Sequence, residues 1–197
     1  MGGRYKQVKW IVSEKGAGNA IKTGIKKASK DVITWVFADG EMDYRFIDRG
    51  LKLMKSYDLI NGSRFKKSGK FGVERSLDKK SISNALRRTL SHACRIYTLI
   101  MIKLPISEIG ILKMFRKNWA QKNLKIESTG WGLQSDILAQ AAIDNLKVKD
   151  LPIHIELKRP TSESRLNVFQ ETKSLLKSIT NAGIRIRIAK IKKYIKI

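Results

Sequence analysis

The sequence predicts an α/β fold built on a mostly parallel sheet, and three observations predict it. Two strand-like apolar runs, residues 8–13 and 32–37, bracket a stretch with helical spacing. A strand, a helix and a strand in that order make a βαβ unit with a right-handed crossover. The second run, Val-Ile-Thr-Trp-Val-Phe, is apolar on both faces, as in the buried strands of parallel sheets. Longer amphipathic patterns with helical period fill the second half of the chain. The 197 residues suit one domain with a core of its own.

The elements follow in order. After the loop Gly16-Ala17-Gly18, Ala20, Ile21, Ile25 and Ala28 fall on one helical face. A second helix over 43–56 sets Phe46, Leu51 and Met54 roughly on one side, and residues 57–65 read as a third strand. Residues 66–81 are rich in Gly, Ser and Lys without a period and read as a loop. A long helix is expected over 81–103, with Leu86, Leu90, Ala93, Tyr97 and Met101 along one side. Arg87, Arg88 and Arg95 flank that side, and Pro105 ends the helix. Residues 110–121 and 135–146 read as two more helical segments. Residues 151–159 read as a strand in which Pro152 marks an edge or a start. A final helix over 164–183 is expected to stop at Gly183. Beyond it, residues 184–197 alternate apolar and basic side chains and then drift to helical spacing. The domain thus spans 1–180, followed by a basic amphipathic tail over 181–197.

Composition narrows the partners. Lys and Arg total 41 against 17 Asp and Glu, a net charge of +24. Such an excess attracts polyanions: nucleic acid, an anionic membrane surface, or phosphate-bearing ligands. Cys94 is the single cysteine, so no internal disulfide forms, and a reducing compartment is the natural setting. The opening residues lack the apolar segment of a secretory signal. No uninterrupted apolar run approaches the ~20 residues that span a bilayer. His92 and His154 have no partner at ligand spacing, so a metal site through them is not expected. The stretch from Gly16 lacks the third small residue and the acidic partner of a dinucleotide fingerprint.

The chemistry starts at the end of the second strand, where Asp39, Glu41 and Asp43 follow within a few residues. In open α/β sheets, ligands bind beyond the carboxyl ends of the strands. Oxygen ligands at alternate positions suit a hard cation such as Mg²⁺ or Mn²⁺, which would hold a diphosphate. The plainer account is that these acids open the next helix, where negative charge is favoured.

The pattern from Gly16 to Phe65 resembles glycosyltransferase family 2, of the GT-A fold. The resemblance is to the branch that moves a sugar from a nucleotide donor to a polyprenyl (dolichyl) phosphate. A Gly-x-Gly-x-Ala loop falls at Gly16 to Ala20, a strand ending in an Asp-Ala-Asp-like corner at Phe37-Ala38-Asp39, and a Gly-Ser-Arg-aromatic motif at Gly62 to Phe65. Later segments also match: 107–118, 129–142 with Asp136 at an acidic position, and 151–167. The resemblance covers about residues 8–180 and implies a Rossmann-like sheet flanked by helices. It departs in three places. Phe37 replaces the first aspartate of the acidic corner, with Glu41 as a substitute oxygen ligand. The strands that build the family's nucleoside pocket do not precede residue 8. Ile106 stands where an Asp is usual.

The resemblance implies a glycosyltransferase, truncated at its N-terminus, with Asp39, Arg64 and Arg159 as catalytic residues. It implies Mg²⁺ or Mn²⁺ on Asp39 and Glu41. Gly16, Gly18, Ser63, Arg64, Arg159, Ser164 and Arg165 are implied to bind the donor and acceptor phosphates, and Trp131 and Asp136 to lie in the acceptor region. The implied partners are a nucleotide-sugar donor and a polyprenyl-phosphate acceptor at the cytoplasmic face of the membrane. A separate chain supplying the missing N-terminal half is a further one. Two alternatives stay open: a degenerate or split family member without independent activity, and a basic nucleic-acid-binding protein. Against the latter, the aromatics do not interleave with the basic residues as a reading platform does.

Overall fold

The computed structural model describes residues 9–36, 44–63, 73–75, 82–110, 112–128, 130, 132–153, 155–157 and 168–195. The first helix, α1 (Ala17–Lys27), leads into a short strand, β1 (Val32–Thr34). Then come α2 (Arg45–Leu53), β2 (Leu59–Ser63), β3 (Val73–Arg75) and the long α3 (Ile82–Ile102). The second half holds β4 (Leu112–Arg116), α4 (Lys117–Asn123), α5 (Leu133–Ile143), β5 (Val148–Pro152), β6 (Ile155–Leu157) and α6 (Val168–Ile195).

Four strands form the main sheet in the order β1-β4-β2-β5. β4 runs antiparallel to both of its neighbours, while β2 and β5 pair in parallel. Three of the four strands therefore point the same way, and one reversed strand is inserted between two of them. β4 shows why the sheet sits where it does. Its side chains alternate faces. Leu112 and Met114 join Phe46, Met54, Ile60 and Leu151 in a core under α2. Phe115 joins Leu59, Ile33, Leu133, Ile137 and Leu138 in a larger core on the opposite face. There α5 packs on α6, which packs on α3, and α1 meets α4.

Several expectations change. Residues 110–121 are not one helix but β4 followed by α4. A short apolar run does not distinguish strand from helix by period, and pairing on both sides decides for strand. The expected first strand, 8–13, does not form across its described residues. Trp10 and Val12 are 78% and 94% exposed, and no described strand pairs with them, so the βαβ unit is not built. Among the described residues β1 is therefore an edge strand, but both of its faces pack, Ile33 in one core and Val32 against the other. The loop read over 66–81 contains β3, which pairs in parallel with β6 in a separate two-stranded sheet. The expected strand 151–159 is split between β5 and β6; Pro152 closes β5 rather than opening a strand, and among the described residues β5 is an edge strand, the other place expected for it. Leu51 faces solvent, whereas Phe46 and Met54 are buried.

Gly183 does not stop α6, which continues to Ile195 and takes in the tail proposed from 181. A Cβ at Gly183 would sit 2.6 Å from Met101 Cε of α3. The glycine allows α3 and α6 to approach closely, and a missing side chain serves here as packing rather than as a cap. Tyr97 on α3 joins the same contact, with its hydroxyl 2.8 Å from that of Thr180. Among the described residues no helix is long and apolar enough to cross a membrane.

Candidate functional site

Because β4 is antiparallel to β1 and β2, and β5 parallels β2, the carboxyl ends of β1, β2 and β5 lie at one end of the sheet. The amino end of β4 lies there too, entered through the turn 103–110. Loops gathered at this end are where an open α/β sheet holds its ligand.

A buried polar brace supports that end. Asn61 on β2 and Asp150 on β5 stand opposite each other, and Asn61 Nδ2 donates to Asp150 Oδ1 at 2.7 Å. The same amide donates to the Glu108 carbonyl at 3.0 Å. Asp150 Oδ2 accepts from the Ser107 backbone N–H at 2.6 Å and from the Ser107 hydroxyl at 2.5 Å. The Ser107 hydroxyl has one proton, which it gives to Asp150. Ser63 Oγ, 2.7 Å from Ser107 Oγ, therefore donates to it. Arg95 of α3 donates through Nε to the Ser107 carbonyl at 2.6 Å. The end of β2 and the turn before β4 are thus one hydrogen-bonded unit.

Lys113 holds the other end of the turn. Its side chain is fully buried on β4, and its ammonium donates to the carbonyls of Ile109 at 2.6 Å and Gly110 at 3.1 Å, and to Gln134 Oε1 at 3.0 Å. Three acceptors match the three ammonium protons. Burial pulls its pKa down to about 7, against the opposing pull of the negative charges on Glu108 and Asp150. Gly110 completes the turn at φ 64°. A Cβ there would lie 2.4 Å from Asn61 Oδ1 and 2.6 Å from the Gly62 carbonyl. Only glycine fits.

α5 starts beside this brace, with Gln134 and Asp136 in its first turn. Asp136 Oδ2 accepts from the backbone N–H groups of Glu127 and Ser128 at 3.0 and 2.9 Å. Its Oδ1 pairs with Arg185 of α6 at 3.2 Å. The carboxylate that the resemblance assigns to the acceptor region ties the 127–128 strap and α6 to α5.

Of the other expected site residues, Gly16 sits at φ 118°, ψ 140° just before α1, a conformation that suits glycine, and Gly18 is buried in the first turn. Ser63 is brought to the turn 107–110 as described. Phe37, Asp39, Glu41, Arg64, Trp131, Arg159, Ser164 and Arg165 lie outside the described residues. Among the described residues no group of three or more His, Cys, Asp or Glu side chains gathers as a metal site. Asp39 and Glu41, which the resemblance implies as ligands of Mg²⁺ or Mn²⁺, are carboxylates and so of the residue type that suits a hard cation. Sequence reasoning missed Asn61, Ser107, Lys113 and Asp150. The available signal was charge inside two short strands: Lys113 alone in Leu-Lys-Met-Phe, and Asp150 beside Lys149 in Val-Lys-Asp-Leu.

An open α/β sheet whose turn 103–110 is fixed by a buried brace at the carboxyl end of its parallel strands is a scaffold of the kind that carries ligand sites in such folds. The family model described as Glycosyl transferase family 2 matches residues 3–122, more than half of the chain. The chain belongs to glycosyltransferase family 2. The matched span takes in β1, β2, the braced turn and β4, and with them Asp39, Glu41 and Arg64. It ends before Trp131, Asp136, Arg159, Ser164 and Arg165.

Proposed function

We propose that this domain transfers a sugar from a nucleotide-sugar donor to a polyprenyl phosphate at the cytoplasmic face of a membrane. One observation carries the reading. The chain leaves β1 toward Asp39 and Glu41 and leaves β2 toward Arg64 at the same end of the sheet. Only β4 lies between the two strands, so they run about 10 Å apart, two strand spacings, with the end of β2 three residues beyond the level of Thr34. That separation suits a diphosphate and a second phosphate held side by side.

A divalent cation on Asp39 and Glu41 would neutralise the diphosphate as it leaves. The chain's own groups do the rest. An acceptor phosphate monoester is already anionic near neutral pH, so it requires positioning more than a general base. Arg64 would grip it bidentately, with Arg159, Arg165 and Ser164 as further donors. Ser63 and the turn 107–110, locked together by Asp150 and Lys113, keep the base of the Arg64 segment from shifting.

The end of α6 supports the membrane part. Ile184, Ile188, Ile191 and Ile195 are exposed along one helical stripe, and Lys190, Lys192 and Lys193 surround it. No acidic residue occurs after Glu171. An apolar stripe edged by cations is the pattern of helices lying on anionic lipid.

Calorimetric titration with GDP and UDP, with and without Mn²⁺, tests the reading beside an Asp39→Ala variant. Metal-dependent binding of one nucleotide, abolished in the variant, is expected. Absence of binding under every condition overturns independent activity and favours the degenerate or split reading to which Phe37 points.

A further inference from the structure

α6 does not carry its exposed isoleucines alone. α3 and α6 run side by side in the same direction. The Tyr97 hydroxyl lies 2.8 Å from that of Thr180, and one turn further on Met101 packs against Gly183 and Arg187. Each residue advances a helix by about 100°. On α3 the residues just after these contacts, Thr98 and Ile102, are buried, and those just before them, Ile96 and Ile100, are 54% and 56% exposed. On α6 the order is reversed. Ile179, Ala182 and Ile186 come just before Thr180, Gly183 and Arg187 and are buried, whereas Ile184 and Ile188 come just after and are exposed. Parallel helices that face each other with opposite orders bury the same side of the pair. Ile96, Ile100, Ile184 and Ile188 therefore share the outer side, and none of them belongs to either core.

The charge of this side selects its occupant. α3 contains no acidic residue, and α6 contains only Glu171, in its first turn. Lys103 at the end of α3 and Lys173, Lys177, Arg187 and Lys190 on α6 are exposed. Glu127 reaches α6 but is held by Arg185, whose other partner is Asp136 of α5. We propose that α3 and α6 dock together on an anionic bilayer, with the four isoleucines entering the headgroup boundary and the cations meeting lipid phosphates. This face rests on the membrane placement proposed for α6 and extends it to α3. Neither helix is long and apolar enough to cross, so both lie along the surface. A second copy of the chain would bring the same cations to the same face and is repelled. α3 leads directly into the turn 103–110, and Arg95 donates to the Ser107 carbonyl at 2.6 Å. The docked face thus borders the end of the sheet that carries the candidate site, while α2 covers the opposite face of the sheet and is held away from lipid.

Bimane attached to single cysteines in a Cys94→Ser background reads the docked face, with vesicles of phosphatidylserine and brominated phosphatidylcholine as the probe. Quenching is expected for Ile100→Cys on α3 and Ile188→Cys on α6, and not for Lys52→Cys on α2. The double variant Ile96→Glu/Ile100→Glu is expected to keep its melting temperature and to sediment with these vesicles at least tenfold more weakly. Vesicles of phosphatidylcholine alone are expected to bind at least tenfold more weakly than the anionic ones. Quenching at 188 without quenching at 100, or undiminished sedimentation of the α3 variant, overturns the joint face and leaves the end of α6 as the membrane contact. Absence of binding to any vesicle overturns both. Equal binding to neutral vesicles, quenching at 52, or self-association that the α3 variant abolishes also overturns the proposal.

Discussion

Replacing Lys113 by methionine probes the brace that fixes the candidate site. The substitution keeps the length of the side chain and removes its charge. It leaves the carbonyls of Ile109 and Gly110 and the amide oxygen of Gln134 without their donor. Each orphaned buried acceptor costs about 1–3 kcal/mol, and burying the thioether returns about 1.5–3 kcal/mol. A net loss of about 3 kcal/mol is expected at pH 8, within the range for removing one member of a buried polar set.

The pH dependence separates this account from a simple packing defect. The folded-state pKa of about 7 lies below the ordinary value of 10.5. Between those two values the unfolded chain holds a proton that the folded chain has released, so this group makes stability rise with pH across the window. It contributes no slope below about pH 7, where both states are protonated. From pH 7 to pH 9 the gain is about 2 kcal/mol. Burial raises the pKa of the Cys94 thiol, which therefore contributes near and above pH 9, but equally in both proteins. Urea unfolding at pH 7 and pH 9, followed by tryptophan fluorescence, should show the gap between wild type and Lys113→Met widening by that ~2 kcal/mol. A gap that stays constant or narrows would refute the buried, depressed lysine.

Gly110→Ala should lose more than ~2 kcal/mol of stability, because a left-handed residue with a Cβ costs ~1–2 kcal/mol before the contact with Asn61 is counted. Wild-type denaturant midpoints would show that the turn relaxes freely. The double variant Ile188→Glu/Ile191→Glu changes two exposed side chains on α6 and should leave the melting temperature within a degree or two. Sedimentation with phosphatidylserine vesicles should fall at least tenfold for it, and undiminished binding would remove α6 from the membrane account.

The sequence by itself determined the elements whose signal is local and long. The periods of α3 and α5 and the one-sided spacing of Ile21 and Ile25 in α1 are set within a few turns of chain, so they could be read directly. The order of family-like motifs around Gly16, Asp39 and Gly62 was legible for the same reason, since each is a short run of residues. The tertiary structure alone decided the rest. β4 reads as a helix until β1 and β2 flank it, and 8–13 reads as a strand although nothing described pairs with it. A strand is completed by hydrogen bonds to distant residues, and a local pattern carries no record of whether those partners are present. The roles of Lys113 and Gly183 were hidden for a related reason. A buried ammonium with three acceptors, or a glycine facing Met101, is defined by what approaches it from another part of the chain.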